Sequence, residues 1–276
     1  MSLRLSLSLA VLFALPAAAF AEEQCQFSEP RDLDLQLTGV KSVLFEVASH
    51  DLRLQASPGP GGRLDGRACA SSAGLLKELS VSQKRSGDKL VVTLADQRQL
   101  HIGIGTHYAY LDLRGTVPDN LLVQFVVGSG DAEITGASAV SADVSSGDMA
   151  IHRTQGRVTA KVGAGDIVLD DLGALHVLAV GSGDLKAHQV RGAVEIGKVG
   201  SGAVKLRNVA KGVRIGSIGA GDVEIADVQG NVAVDAIGSG DLDVRKVRGD
   251  FSVARRGSAD IDARDISGAT RLPLDD

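Results

Sequence analysis

The tetrapeptide Gly128-Ser129-Gly130-Asp131 returns as Ser146-Gly147-Asp148, Gly163-Ala164-Gly165-Asp166, Gly181-Ser182-Gly183-Asp184, Gly219-Ala220-Gly221-Asp222 and Gly238-Ser239-Gly240-Asp241. Degenerate copies stand at Gly200-Ser201-Gly202-Ala203 and Gly257-Ser258-Ala259-Asp260. The fourth positions lie 17, 18, 18, 19, 19, 19 and 19 residues apart, so one structural unit is used eight times. No other feature of the chain restricts its fold as much.

Within each unit the residues one and three after the turn are apolar and the residue between them is mostly charged, as in Val223-Glu224-Ile225, Leu242-Asp243-Val244 and Ile261-Asp262-Ala263. Period two is the signature of a strand with one buried face. A second glycine follows (Gly156, Gly173, Gly192, Gly212, Gly230, Gly249, Gly268) and opens another alternating run, such as Val194-Ile196 or Val232-Val234. The unit therefore reads strand, turn, strand, turn. A unit this short cannot bury its own apolar face, but stacked copies share one core and pair in parallel about 4.8 Å apart. The expectation is an all-β chain, a parallel β-solenoid of about eight rungs of 18–19 residues. Pro118 and Pro273 bracket the repeat with no proline between them, as unbroken ladders require.

Composition agrees. Of 34 glycines, 24 follow Val127, without the every-third-residue spacing of collagen. Hydrophobic residues make up 44% of the chain and aromatic ones only 3%, and Phe251 is the sole aromatic after Val127. That describes a thin aliphatic core, not a disordered chain. A net charge of −5 lacks the basic footprint of a nucleic-acid partner.

Ahead of the repeat, Arg4, the apolar stretch Leu5–Ala14 and Ala19-Phe20-Ala21 read as a secretory signal peptide over residues 1–21. No later segment is long and apolar enough to span a membrane as a helix. Cys25 and Cys69 are then expected to form a disulfide closing a loop of about 43 residues, worth about 2–4 kcal/mol. Residues 22–117 carry strand patterns without the glycine period, including a hairpin around Arg85-Ser86-Gly87-Asp88, and are read as an N-terminal β cap over the open edge of the first rung. Residues 118–276 are read as the solenoid.

The glycines of the turns supply positive φ or close approach. The stacked aspartates (Asp131, Asp148, Asp166, Asp184, Asp222, Asp241, Asp260) repel one another by about 1 kcal/mol per neighbour in water-like surroundings, so something must offset them. One answer is an Asx-type turn in which each carboxylate accepts N–H groups at its own corner. The other is calcium between turns, although Ala203 interrupts the series. Two clusters are candidate ligand surfaces. Arg245, Lys246 and Arg248, with Arg255 and Arg256 one rung later, form a basic run suited to an anionic glycan or headgroup. His107, Tyr108 and Tyr110 are the one concentration of ring side chains that could meet a sugar. No nucleophile elbow, phosphate loop or metal-ligand spacing is present, so no catalytic residue, metal or cofactor is assigned.

The step Val117-Pro118-Asp119-Asn120-Leu121 leading into Val126-Val127-Gly128-Ser129-Gly130-Asp131, followed by the repeated units, resembles a bacterial family of glycine-rich β-solenoid domains known as putative adhesin, autotransporter-adhesin head and toast-rack domains. The resemblance covers residues 40–270 and implies an exported cell-envelope protein, periplasmic or at the cell surface, used for adhesion, scaffolding or envelope sensing. It brings no catalytic residues with it. The implied partner is an envelope protein or a glycan. A carbohydrate-active β-helix enzyme and a calcium-stabilised structural module are the alternatives from other classes.

Overall fold

The structure is a computed structural model that describes residues 25–96 and 107–273, so the expected signal peptide lies outside the described residues. In chain order the elements are β1 (Phe27–Asp34), β2 (Ser42–Ala48), β3 (Asp51–Ser57), β4 (Arg63–Ala70), the short helix α1 (Ala73–Glu78), β5 (Leu79–Ser86), β6 (Lys89–Asp96) and β7 (Ala109–Pro118). The repeat supplies β8 (Leu122–Val127), β9 (Ala132–Thr135), β10 (Ala139–Val144), β11 (Asp148–Val162), β12 (Asp166–Val180), β13 (Leu185–Val190), β14 (Val194–Val199) and β15 (Ala203–Val209). It ends with β16 (Val213–Ile218), β17 (Asp222–Val228), β18 (Val232–Ile237), β19 (Asp241–Val247), β20 (Phe251–Val253), β21 (Asp260–Ile266) and β22 (Thr270–Arg271).

The all-β parallel solenoid expected from the spacing is what forms. One face stacks β9, the first halves of β11 and β12, then β13, β15, β17, β19 and β21 in parallel. The other stacks β8, β10, the second halves of β11 and β12, then β14, β16, β18, β20 and β22. Side chains of equal phase pile into buried columns between the faces. Met149, Ile167, Leu185, Val204, Val223 and Leu242 make one, and Val158, Leu175, Val194, Val213, Val232 and Phe251 another. With only aliphatic side chains in most rungs, the two faces can lie close together, which is why rings are scarce here.

Parallel pairing begins earlier than the glycine period. β2 pairs in parallel with β8 and places Phe45 opposite Phe125, their rings stacked at 5.6 Å between centroids. β3 likewise pairs with β9. On its outer side this rung meets β6 and β7, again in parallel. The chain therefore lays down β2 and β3, returns as β6 and β7 beneath them, and then passes over to β8 above them. Spatial order and sequence order differ here. The edge beyond β6 and β7 is closed by antiparallel strands, β5 on β6 and β4 then β1 on β7. Ser72 caps α1 by accepting the Leu75 N–H, and Leu75 and Leu76 cover the end of the core. Cys25 and Cys69 form the expected disulfide.

The turn glycines answer to close approach. None of the Gly-x-Gly-Asp glycines has a left-handed φ. A Cβ on Gly183 would stand 1.8 Å from the carbonyl oxygen of Gly165 one rung below, and one on Gly165 would stand 1.9 Å from that of Gly147. The opposite corner does use left-handed backbone, but on non-glycine residues: Arg153, Asp171, Gln189, Asn208, Asp227, Lys246 and Asp265 all have φ between 53 and 59°. Such a conformation costs about 1 kcal/mol or more for a residue with a Cβ. Its effect is visible in the burial of β15, where Leu206 and Val209 both face inward with two exposed residues between them. The bend resets the strand alternation and turns the chain around the core.

Candidate functional site

The turn aspartates do not serve their own corners. The Asp131 carboxylate accepts the backbone N–H of Asp148 at 3.3 Å, Asp148 that of Asp166 at 3.3 Å, Asp166 that of Asp184 at 3.0 Å and Asp184 that of Ala203 at 3.2 Å. Asp222 accepts from Asp241 at 3.4 Å. Each carboxylate thus neutralises part of its charge on a donor from the next rung, which replaces the own-turn Asx reading. Asn231 and Asp250 repeat the device at another corner, accepting from Asp250 and Ala269, both at 2.9 Å. The Ala269 N–H and then the Arg271 guanidinium hold the Asp250 carboxyl below its ordinary range. Among the described residues no three His, Cys, Asp or Glu side chains gather as a metal site would require.

Two further carboxylates belong to this column. Asp51 in β3 stands one position below Asp131, and Asp112 in β7 lies opposite Asp51. Burial pushes the Asp51 carboxyl above its ordinary value, and the neighbouring Asp131 carboxylate adds to the effect, against the Asp131 N–H and Arg53, which favour the ionised form. Arg53 bridges to Asp112 at 3.0 Å, and Asp112 also lies 3.9 Å from Arg67.

Around this lower end of the column opens a cleft of about 460 Å³, lined by Cys25, Ser49, Asp51, Tyr108, Tyr110, Ser129, Gly130 and Asp131. The cap builds its wall. β4 and β7 run antiparallel with Cys69 opposite Tyr110, so the disulfide that ties Cys25 to β4 sits against the tyrosines. The Tyr108 hydroxyl accepts the Gln26 N–H at 3.1 Å, and its ring centroid stands 6.3 Å from that of Tyr110 at an interplanar angle of 39°. His50 is fully buried beneath, where its Nδ1 accepts the Leu111 N–H at 3.3 Å and joins the floor to β7. A second depression of about 310 Å³ continues along the same face past Arg53, Glu133, Asp148 and Asp166.

Two of the three expected ring residues, Tyr108 and Tyr110, thus meet Asp131 in one cleft, while His107 is exposed outside its lining. The basic run sits far up the stack and is matched by acids. Arg245 contacts Glu224 and lies 3.5 Å from Asp243, and Lys246 lies 3.7 Å from Asp227. Burial alone would raise the Glu224 carboxyl, but Arg207, Arg245 and Lys205 outweigh it and hold the group below its ordinary range. Arg248 shares a shallow depression with Asp227 and Asp265, and the Arg256 Nε donates to the Ala259 carbonyl at 2.7 Å. Arg255 is exposed next to it. This surface alternates in sign. Asp51 and Ser49 lie in a rung without the glycine turn that marks the repeat, although Asp51-Leu52-Arg53-Leu54 has the same alternation as the repeat units.

No family model matches the chain, and no curated protein does. Among solved structures it is similar to a putative adhesin from Parabacteroides merdae ATCC 43184, at 9% identity over 90% of this chain and 96% of that chain, with a TM-score of 0.36. A structure described as a putative lipid binding protein from Parabacteroides distasonis ATCC 8503 is similar at 16% identity over 89% and 97% of the two chains, with a TM-score of 0.36. A putative cell adhesion protein from Clostridium sporogenes ATCC 15579 is similar at 9% identity over 86% and 99%, with a TM-score of 0.28. Among the described residues no helix is long and apolar enough to cross a membrane.

Proposed function

We propose that this is a non-enzymatic exported protein of the cell envelope, in which a stiff solenoid carries a binding cleft for a glycan at its capped end. The observation that supports the cleft is the convergence of Tyr108, Tyr110, Asp51 and Asp131 on one open space. Rings offer a flat apolar surface to the C–H face of a sugar, and ionised carboxylates accept strong hydrogen bonds from paired hydroxyls. The disulfide and the antiparallel cap hold the ring-bearing strand in place, so binding requires little ordering. Along the rest of the solenoid several outward charges pair between rungs, as Lys161 with Asp143 and Arg207 with Glu224, which suits a spacer or scaffold.

The test is an array of neutral and acidic glycans probed with the mature protein, followed by titration of the best ligand. Tyr110→Ala is expected to weaken binding by about tenfold or more, corresponding to loss of about 1.4 kcal/mol or more of ring contact. Retained affinity in that variant removes the cleft from the reading. New reducing or unsaturated ends in the incubated glycans would instead make the protein an enzyme.

A further inference from the structure

The two ends of the stack are finished differently. At the first end β1, β4, β5 and α1 cover the edge strands and the core beneath them. At the other end β21 pairs with β19 on one side, and among the described residues no strand lies on its other side. Its inward residues show the consequence. Leu242, Val244 and Val247 in β19 are 0–1% exposed, whereas their counterparts Ile261, Ala263 and Ile266 in β21 are only half-buried. A row of unpaired backbone groups beside accessible aliphatic side chains is an edge made for another strand.

The sequence of β21 specifies which strand suits it. Residues 260–264 read Asp-Ile-Asp-Ala-Arg, with Asp260, Asp262 and Arg264 on the outer face. Antiparallel partners lie on the same face, so a copy of β21 can pair with β21 only about a two-fold axis at a residue. An axis at Asp262 sets that carboxylate against its own copy, and one at Arg264 does the same with two guanidinium groups. An axis at Ala263 sets Asp262 of each copy opposite Arg264 of the other, twice. Asp262 and Arg264 already contact each other within the chain, so the exchange keeps both charges paired. The inner face gains as well, with Ala263 on its copy, and the left-handed bend at Asp265 ends the straight pairing there.

We infer that β21 is a homodimer interface: two copies of this chain join end to end through antiparallel pairing of Asp262–Arg264, the stretch before the left-handed bend at Asp265, about Ala263, with two reciprocal Asp262–Arg264 pairs. The axis stands normal to the sheet, so each face of one solenoid continues into the same face of the other and the aliphatic interior runs through. The capped ends then point away from each other.

Sedimentation equilibrium of the mature protein, with hydrogen exchange of the β21 amides, tests this. The wild-type chain is expected to be dimeric with protected amides in β21. Asp262→Arg or Arg264→Asp alone puts like charges across the axis and is expected to weaken dimerisation by about tenfold or more. The double reversal D262R/R264D restores it, and circular dichroism checks that all three variants are folded. A monomeric wild type with freely exchanging β21 amides overturns the inference, as does a dimer indifferent to the single reversals. Because the glycan cleft lies at the opposite end, either result leaves the reading of that cleft standing or falling by its own titration.

Discussion

The repeat body and the capped end solve the same problem by opposite means. In the body each rung is held by what is missing from its neighbour: the absent Cβ at Gly147, Gly165, Gly183, Gly202, Gly221 and Gly240 lets backbone pass within contact of backbone. The device is local, periodic and made of almost nothing. At the capped end the rungs come out of order, the glycine period is absent, and closure depends on distant partners: β2 on β8, β4 on β7, Cys25 on Cys69. Ion pairs such as Arg63 with Asp32 and Asp34 tie β4 to β1 across its surface. The body is therefore expected to tolerate changes of outward charge and to be intolerant of one added methyl. The capped end is expected to depend more on its ion pairs and disulfide; its loop glycine Gly61 has room for a methyl, whereas Gly66 and Gly115, where β4 meets β7, do not.

The largest effect tests the glycine column. Gly183→Ala places a methyl 1.8 Å from the Gly165 oxygen, and the obstacle is backbone, so no rotamer change relieves it. The expected loss exceeds the about 1–3 kcal/mol of ordinary overpacking, and denaturant melts should show it as a large drop in midpoint. Gly61→Ala in the cap meets nothing within 4 Å and should melt like wild type. Equal effects would erase the contrast between the two regions.

Next comes the disulfide, whose partners are 44 residues apart. Replacing both cysteines with serine is expected to cost about 2–4 kcal/mol by freeing the unfolded loop. Hydrogen exchange should place the loss in β1, β4 and β7 and leave the amides of β13–β19 protected. Uniform loss along the chain would mean that the cap and body unfold as one unit. The smallest effect belongs to a polar defect inside the body. Thr154 is fully buried, its hydroxyl has no hydrogen-bond partner, and Leu172 takes its place in the next rung. Thr154→Val should raise stability by about 1 kcal/mol, seen as a higher melting temperature.

The solenoid was legible because its physics is periodic. Glycine at fixed phase, alternation on both sides and no internal proline leave few other folds. Two parts of the repeat were not legible. The direction of the aspartate hydrogen bonds depends on how far apart successive corners sit, and spacing alone does not reveal it. The left-handed corner escaped because Arg153, Gln189 and Lys246 carry no mark of that conformation; the parallel ladders on both sides impose it. Of the cleft, Tyr108 and Tyr110 were visible as the local concentration of rings. Asp51 was not, because its rung is inserted between β7 and β9 by pairings that jump across the sequence.

The aspartate relay has a direction, and that gives the repeat a form of fault containment. Asp131, Asp148, Asp166, Asp184 and Asp222 each serve the rung above, so a lost side chain deprives one donor and stops there. Ala203 receives its bond from Asp184 and passes none to Asp222, yet Asp222 goes on to accept from Asp241. A unit can therefore drift in sequence without loosening the rest of the column. Degenerate copies inside an otherwise regular array are what such a one-step dependence permits.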